Sequence, residues 1–273
     1  MRVYISADIE GVCGVVHNEQ TGGTGQAYER ARKLMAGEVN AAIEGALEAG
    51  ADYIVVNDSH WLMRNLLPED LRTEALLITG SPKPLSMLEG LDSSFDAAIF
   101  TGYHAAAGEA GGILNHTYSG VVRKVVINGM VMGETGINAA VCGYFGVPVV
   151  MVSGDSTVAA EASRIIPWAK GVAVKKSIVR TAALESHPAK VREMIKAGAR
   201  EGLLKRAECR PLIIQQPVRL EMEFQTATMA DMVELVPSVQ RTGAFRIAYE
   251  GKDFLEIFKL MRVFLMVAGT VRE

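Results

Sequence analysis

The chain has 273 residues, of which 49% are hydrophobic and 22% are charged, and its formal net charge at pH 7 is -3. This composition is typical of a folded globular protein and excludes an intrinsically disordered chain. Because the excess charge is small and acidic, nucleic acid is not expected as a partner, and small molecules or short peptides are the expected ligands.

Short β-rich runs alternate with helical patterns over the first half of the chain. Asn128-Gly129 lies between two apolar runs and predicts a hairpin over residues 121–132, followed by a helix over residues 135–144. The alternation predicts an α/β fold with a mostly parallel sheet flanked by helices. The other predicted elements are a helix over residues 27–49 that ends at Gly50, and strands over residues 3–7, 53–57, 75–79, 97–101 and 147–153.

The pattern changes after Pro167, and we interpret residues 168–273 as a smaller α+β domain that follows an α/β domain of residues 1–167. The last predicted helix is apolar but carries a narrow stripe of Glu256, Lys259 and Arg262, so it is not expected to span a membrane. In order, this part is predicted to contain a basic amphipathic helix (residues 188–206), an extended run (212–224), a short helix (229–235), a second extended run (241–249) and the apolar helix (254–268).

Two features of the sequence predict a cytoplasmic location. The first four residues lead directly into a strand pattern, without the basic region and apolar core of a secretory signal. The cysteines Cys13, Cys142 and Cys209 are widely separated, which suits a reducing compartment better than a disulfide framework.

Four side chains that can bind a metal lie at or just beyond the ends of three predicted parallel strands. Asp8 and Glu10 follow the first strand, and two of the five histidines, His60 and His104, follow two others. Ligand sites in open α/β sheets lie outside the carboxyl ends of the strands, so these side chains are expected to lie close together. Two carboxylates and two imidazoles suit zinc, manganese or iron.

Glu134 and His116 extend this set. Glu134 lies where the predicted hairpin leads into a helix, and His116 lies in a polar loop rich in glycine. With Glu134 there are five candidate ligands, whereas a single catalytic zinc normally has three protein ligands. The five therefore indicate two metals that share a carboxylate. His116 is then expected to act as an acid or base beside them. Taken singly, Asp8 could cap a turn, Glu10 could be a solvated charge, Glu134 could favour the helix dipole, and His116 could be an exposed loop residue.

Six motifs along the chain match a known family at similar order and spacing. They are DIEG, VNDSH, PLSMLEGLD, GYHA, NHT and INGMVMGETGINA, and they span the predicted α/β domain. The chain therefore resembles the bacterial binuclear zinc D-aminopeptidases, a self-compartmentalising group often linked to dipeptide transport.

The resemblance implies a role for each candidate residue. It implies that Asp8 bridges two zinc ions, that Glu10 and His60 complete one site, and that His104 and Glu134 complete the other. His116 corresponds to the family's essential catalytic histidine. The resemblance also implies a homodecamer of two stacked pentameric rings around a chamber that admits short peptides, with residues 168–273 shaping the entrance and the oligomer contacts.

The predicted function is removal of the N-terminal residue from short peptides, with D-residues expected, through water activated by two zinc ions. Two alternatives remain at the level of sequence. One is another two-metal hydrolase, such as a phosphoesterase, and the other is a non-catalytic ring protein that binds metal or peptide.

Overall fold

The computed structural model describes residues 1–272, which form two sheets and six α-helices. The strands are β1 (Arg2–Ala7), β2 (Tyr53–Asp58), β3 (Ala75–Ile78), β4 (Ala97–Tyr103), β5 (Val122–Ile127), β6 (Met130–Val131), β7 (Val149–Asp155), β8 (Lys170–Val179), β9 (Ala182–Glu185), β10 (Val218–Phe224), β11 (Gln240–Gly243) and β12 (Arg246–Gly251). The helices are α1 (Gln26–Glu48), α2 (Glu134–Tyr144), α3 (Ser156–Ile165), α4 (Pro188–Leu204), α5 (Ala227–Glu234) and α6 (Phe254–Gly269).

The larger sheet has seven strands in the order β3-β2-β1-β4-β7-β8-β9. All neighbouring pairs are parallel except β8 and β9 at one edge. Every residue of β4 and β7 is buried, as expected of inner parallel strands covered on both faces. Helices α1 and α4 pack together over one face of this sheet. The predicted mostly parallel sheet flanked by helices is thereby confirmed.

The smaller sheet has five antiparallel strands in the order β11-β12-β10-β5-β6. Buried and half-buried residues alternate along β10, so one face of this sheet packs inward. Its apolar side chains share a core with α2 and α6. The predicted hairpin is confirmed, because β5 and β6 pair around Asn128 and Gly129, both with positive φ as a tight hairpin turn requires.

The two sheets do not divide the chain at the predicted boundary of residue 168. Strand β8 pairs with β7 and so extends the larger sheet, while β5 and β6, from the first half of the chain, belong to the smaller one. Strand β8 was not expected because Lys170, Lys175 and Lys176 interrupt the apolar run that marks the inner strands.

Further differences concern local structure. Helix α3 and strand β9 were not predicted, and the extended run over residues 212–224 is a strand only from Val218. The extended run predicted over residues 241–249 is a hairpin of β11 and β12. Among residues 1–272, no helix combines the length and apolar character needed to cross a bilayer.

Candidate metal centre

The register of the larger sheet brings the predicted ligands to one edge. Ala7, the last residue of β1, pairs with Asp58 of β2 and with Thr101 of β4, so the three strands end side by side. Asp8 and Glu10 follow β1, His60 follows β2 and His104 follows β4. All four side chains are buried. The carboxyl end of the sheet therefore collects these groups, as the sequence predicted.

Gly11 allows the segment after β1 to lie against the end of β4. Its N–H donates to the carbonyl oxygen of Gly102 at 2.8 Å. A Cβ at residue 11 would collide with the carbonyl oxygen of Tyr103. Glycine is therefore required by the close approach of two backbones, which fixes where Asp8 and Glu10 lie.

His60 faces both carboxylates through one ring nitrogen. Its Nδ1 lies 3.1 Å from Oδ1 of Asp8 and 3.0 Å from Oε2 of Glu10. Its Nε2 lies 2.6 Å from the carbonyl oxygen of Thr21, which can only accept a hydrogen bond. With Nε2–H donating to that carbonyl, the lone pair of Nδ1 points at the two carboxylates, the arrangement of a metal-binding histidine.

His104 repeats this arrangement on the other side of Asp8. Its Nε2 lies 3.5 Å from Oδ2 of Asp8 and 3.3 Å from Oε1 of Glu134. Its Nδ1 lies 3.0 Å from the carbonyl oxygen of Ala105, to which it donates. The two carboxylate oxygens of Asp8 thus face different histidines, which is the geometry expected of a carboxylate shared by two cations.

Glu134 is the first residue of α2 and lies in the same cluster. Its Oε1 accepts a hydrogen bond from the backbone N–H of Tyr118 at 2.6 Å. This contact ties the helix to the loop that carries His116. The hairpin of β5 and β6 therefore delivers a carboxylate from the smaller sheet to the edge of the larger one.

His116 completes the cluster from a strained loop. Its Nε2 lies 3.6 Å from Oε1 of Glu134, and its ring stacks on that of His104 with centroids 4.1 Å apart. Its Nδ1 donates to the carbonyl oxygen of Leu114 at 3.0 Å, which leaves the Nε2 lone pair free. Leu114 and Tyr118, on either side of it, have positive φ values of 47° and 59°, an unfavourable backbone conformation that commonly occurs at functional sites.

The donors in the cluster fit divalent cations. Oδ2 of Asp8, Oε2 of Glu10 and Nε2 of His104 are buried and make no well-directed hydrogen bond among residues 1–272, because their neighbours at 3.0–3.5 Å are other members of the cluster. A buried polar atom without a partner costs about 1–3 kcal/mol, and a coordinated cation removes that cost. Two overlapping groups have ligand atoms within 4.8 Å of one another, one formed by Asp8, Glu10 and His104 and the other by His104, His116 and Glu134. Carboxylates with imidazoles suit zinc, manganese or iron.

The charged groups of the cluster shift one another's pKa values. Burial raises the pKa of Asp8 to about 7, and the nearby Glu10 carboxylate adds to this effect. Burial alone would raise the pKa of Glu10, but the facing His60 outweighs it and holds that pKa well below the usual value. The carboxylates outweigh burial at His60 and His104 and raise both pKa values well above 6.5. The cluster therefore holds several protons when no cation is bound.

His116 behaves in the opposite way. Burial lowers its pKa, and the positive charge of His104 acts in the same direction. With 27% of its side chain exposed, it is also more accessible than the other members of the cluster. His116 is therefore a neutral imidazole with a free Nε2 at neutral pH, as a proton acceptor requires.

The cluster opens into a cavity of about 560 Å³. Asp8, Glu10, His60, His116 and Glu134 line it on the side of the cluster. This volume lies within the range of small-molecule sites. The cavity therefore gives a small ligand access to the cluster.

Lys175, which the sequence did not single out, supports the segment that carries Glu10. It is buried on β8, and its Nζ donates to the backbone carbonyls of Glu10, Val12 and Val15. A lysine at a buried position of a strand would have indicated this role in the sequence. It was missed because β8 was not predicted as a strand. His187, in contrast, has a structural role, since its Nδ1 accepts from the N–H of Ala189 at the start of α4.

Known proteins match the chain over nearly its whole length. The model of the Peptidase M55 family, described as D-aminopeptidase, matches residues 1–263. A D-aminopeptidase of Bacillus subtilis (strain 168) is 38% identical over 269 residues, which are 98% of each chain. A solved structure of the Zn-dependent D-aminopeptidase DppA from Bacillus subtilis, described as a self-compartmentalizing protease, matches with a TM-score of 0.97 and 37% identity over all of both chains. The resemblance predicted from the motifs is confirmed, and the chain belongs to the M55 family of D-aminopeptidases.

Proposed function

We propose that this M55 peptidase removes N-terminal D-residues from short peptides and uses two zinc ions. The observation that carries the proposal is the position of Asp8 between His60 and His104, with one carboxylate oxygen facing each. Zinc is the proposed metal because the donors suit it and because the similar structure is named Zn-dependent.

The five ligands divide into two sets that share Asp8. Glu10 and His60 complete one set, and His104 and Glu134 complete the other. Cations held there would supply Lewis acidity that activates water and polarises the scissile carbonyl. The carbonyls of Thr21 and Ala105 fix the tautomers of the two histidines, so both lone pairs face the centre.

His116 is proposed to move the proton in the reaction. Its free Nε2 can take a proton from the attacking water and pass it to the leaving amine. The hydrogen bond from Nδ1 to Leu114 holds the ring in one orientation and one tautomer. Stacking on His104 keeps the ring beside the ligands while it remains accessible from the cavity.

The free amine of the peptide explains the proposed exopeptidase selectivity. An α-ammonium can pair with a carboxylate such as Glu10 or Glu134, and both line the cavity. An N-acetylated peptide lacks this charge, so its hydrolysis should be much slower than that of the free peptide. Equal rates for the two peptides would contradict this part of the proposal.

We also propose that the chain forms a homo-oligomer in the cytoplasm, with the decamer of two five-membered rings as the specific expectation. Ile178, Val179 and Leu184, at the hairpin of β8 and β9, are each more than half exposed. Such an apolar tip is suited to contact with another subunit. This hairpin belongs to residues 168–273, the part proposed to form the entrance and the oligomer contacts.

Metal analysis combined with matched substrates tests the proposed function. The purified protein should contain two zinc ions per subunit and should hydrolyse D-aminoacyl dipeptides faster than their L-aminoacyl counterparts. A phosphomonoester serves as the control substrate for the phosphoesterase alternative. Hydrolysis of the phosphomonoester alone, or metal-free protein with full activity, would contradict the proposal.

Two histidine variants separate metal binding from proton transfer. His60→Ala should lose metal and activity together, while His116→Ala should keep its metal and lose at least a hundredfold in kcat, since general acid–base groups contribute about 10²–10⁴-fold. His187→Ala is the matched control, because it changes a histidine outside the cluster, at the start of α4. It should keep its metal and its activity. Full activity in both site variants would refute the assigned roles.

A further inference from the structure

Two cationic side chains line the same cavity as the metal centre. They are Lys83 and Arg262, which come from distant parts of the chain. Neither forms an ion pair with any residue in the described range 1–272. Their positive charges therefore line the cavity without a protein carboxylate in direct contact, although Asp58 and Glu89 lie close enough to Lys83 to act on its charge. Cationic groups left without a direct partner favour an anionic ligand group.

Lys83 is held in place by neutral oxygens. Its buried Nζ donates to Oδ1 of Asn57 at 2.5 Å and to the carbonyl oxygen of Asp58 at 2.7 Å. The Asp58 carboxylate is occupied elsewhere, by Asn65 and by the N–H of Leu66. An ammonium has three protons to donate, so one remains for a ligand in the cavity.

Arg262 is placed beside the metal centre by α6. Phe258, one turn earlier on this helix, packs edge-on against the ring of Tyr118, whose N–H binds Glu134. Nη1 of Arg262 is buried and has no hydrogen-bond partner among residues 1–272. Burial lowers the pKa of Lys83 to about 8, against the raising effect of the Asp58 and Glu89 carboxylates, and Lys83 and Arg262 line the same cavity.

The cavity therefore combines two kinds of charge. Asp8, Glu10 and Glu134 supply carboxylates, while Lys83 and Arg262 supply cations. A short unblocked peptide has the complementary charges, an ammonium at one end and a carboxylate at the other. A guanidinium can bind a carboxylate through two parallel hydrogen bonds, and an ammonium can add a third.

We propose that Arg262, with Lys83, binds the free C-terminal carboxylate of the peptide substrate. This inference rests on the proposed aminopeptidase function and adds to it a substrate class, namely peptides short enough for both termini to lie in the cavity. The cavity of about 560 Å³ is of the size that holds small ligands. Residues beyond the first few would have to displace the carboxylate from its partners, so longer peptides are poorer substrates.

Hydrolysis of one D-aminoacyl dipeptide as the free acid and as the C-terminal amide tests the inference. The wild-type enzyme should prefer the acid by roughly ten- to a hundredfold in kcat/KM, as expected for a charge-assisted contact. In Arg262→Met, the ratio of kcat/KM for the acid to kcat/KM for the amide should fall to within a few-fold of one, mainly because the KM for the acid rises. Lys83→Met should reduce it less, and Arg262→Lys should restore part of it.

Lys259→Met is the matched control, because Lys259 lies on the same helix three residues earlier and is exposed. It should keep the preference for the acid.

Binding of the N-acetylated dipeptide acid and of its amide, measured by calorimetry, gives a second readout that needs no turnover. Arg262→Met should lose the difference between these two ligands.

The outcomes for the two proposals differ. If the wild type hydrolyses neither dipeptide, the proposed function fails, and the calorimetric comparison still decides whether the cations bind a carboxylate. Equal hydrolysis and equal binding of acid and amide by the wild type would overturn the inference. A preference that survives in both Arg262→Met and Lys83→Met would overturn it as well. If Arg262→Met does not fold, the inference is tested by the acid-to-amide preference of the wild type and by its reduction in Lys83→Met.

Discussion

At the residue scale, the proposed ligand side chains of this peptidase would exchange protons for metal. Burial raises the pKa of Asp8 to about 7, and carboxylates raise those of His60 and His104 well above 6.5. Metal ligands bind in their deprotonated forms. We therefore expect zinc uptake by the metal-free protein at pH 7 to release more than one proton per subunit, measured by calorimetry in buffers of different ionisation enthalpy.

The direction of the pH effect follows from the same shifts. As the pH falls, the histidines and Asp8 become more fully protonated, so protons compete better with zinc and the apparent affinity falls. The His60→Ala variant, which is expected to bind zinc poorly, should take up little zinc and release correspondingly few protons. Zinc uptake without proton release at pH 7 would show that the ligands are already deprotonated in the metal-free protein.

Sequence reasoning predicted that the side chains of the candidate centre lie together, but not the backbone groups that orient them. Asp8, Glu10, His60 and His104 were found because each lies at or just beyond the end of an apolar strand run, and such ends meet at one edge of a parallel sheet. The carbonyl of Thr21 has no sequence signature, because any residue can supply it. Its role becomes visible only when the loop is placed against His60.

At the scale of elements, prediction succeeded where periodicity was strong. Buried strands such as β4 and β7 have continuous apolar runs, and α1 has a regular apolar face. Strand β8 combines an edge position for much of its length with three lysines, so its pattern resembles that of a surface segment. One of these lysines, Lys175, is buried to contact the segment after β1, a tertiary requirement that overrides local pattern.

The link between β8 and the segment after β1 leads to a prediction. Lys175→Met removes the donor for three buried carbonyls, those of Glu10, Val12 and Val15. Because unsatisfied buried acceptors are costly, the free energy of unfolding should fall by about 3–5 kcal/mol, measured by urea denaturation. Zinc affinity should fall with it, because the backbone of Glu10 loses its anchor.

Lys176→Met provides the control for this change, since the neighbouring lysine is exposed. Its free energy of unfolding should stay within about 0.5 kcal/mol of the wild type. Normal zinc affinity in a destabilised Lys175→Met protein would show that Lys175 supports the fold without positioning Glu10.

At the scale of the whole molecule, the candidate metal centre connects the two sheets. Asp8, His60 and His104 come from the larger sheet, whereas Glu134 follows the β5–β6 hairpin of the smaller one. Without a cation, this junction contains three buried carboxylates, which only the protonated histidines beside them balance. The position of α2 and of the smaller sheet against the larger one should therefore depend on metal.

Removal of metal should accordingly lower the thermal stability of the entire chain. A ligand present at a thousand times its dissociation constant stabilises the folded state by about 4 kcal/mol, which for a protein of this size corresponds to a melting temperature higher by roughly 5–15 °C. Chelation followed by calorimetry should lower the Tm by this amount, and added zinc should restore it. His60→Ala, which is expected to have lost metal already, should respond much less. If the wild type loses its metal and its Tm does not change, the centre serves the reaction alone and the two sheets are held together by their apolar core.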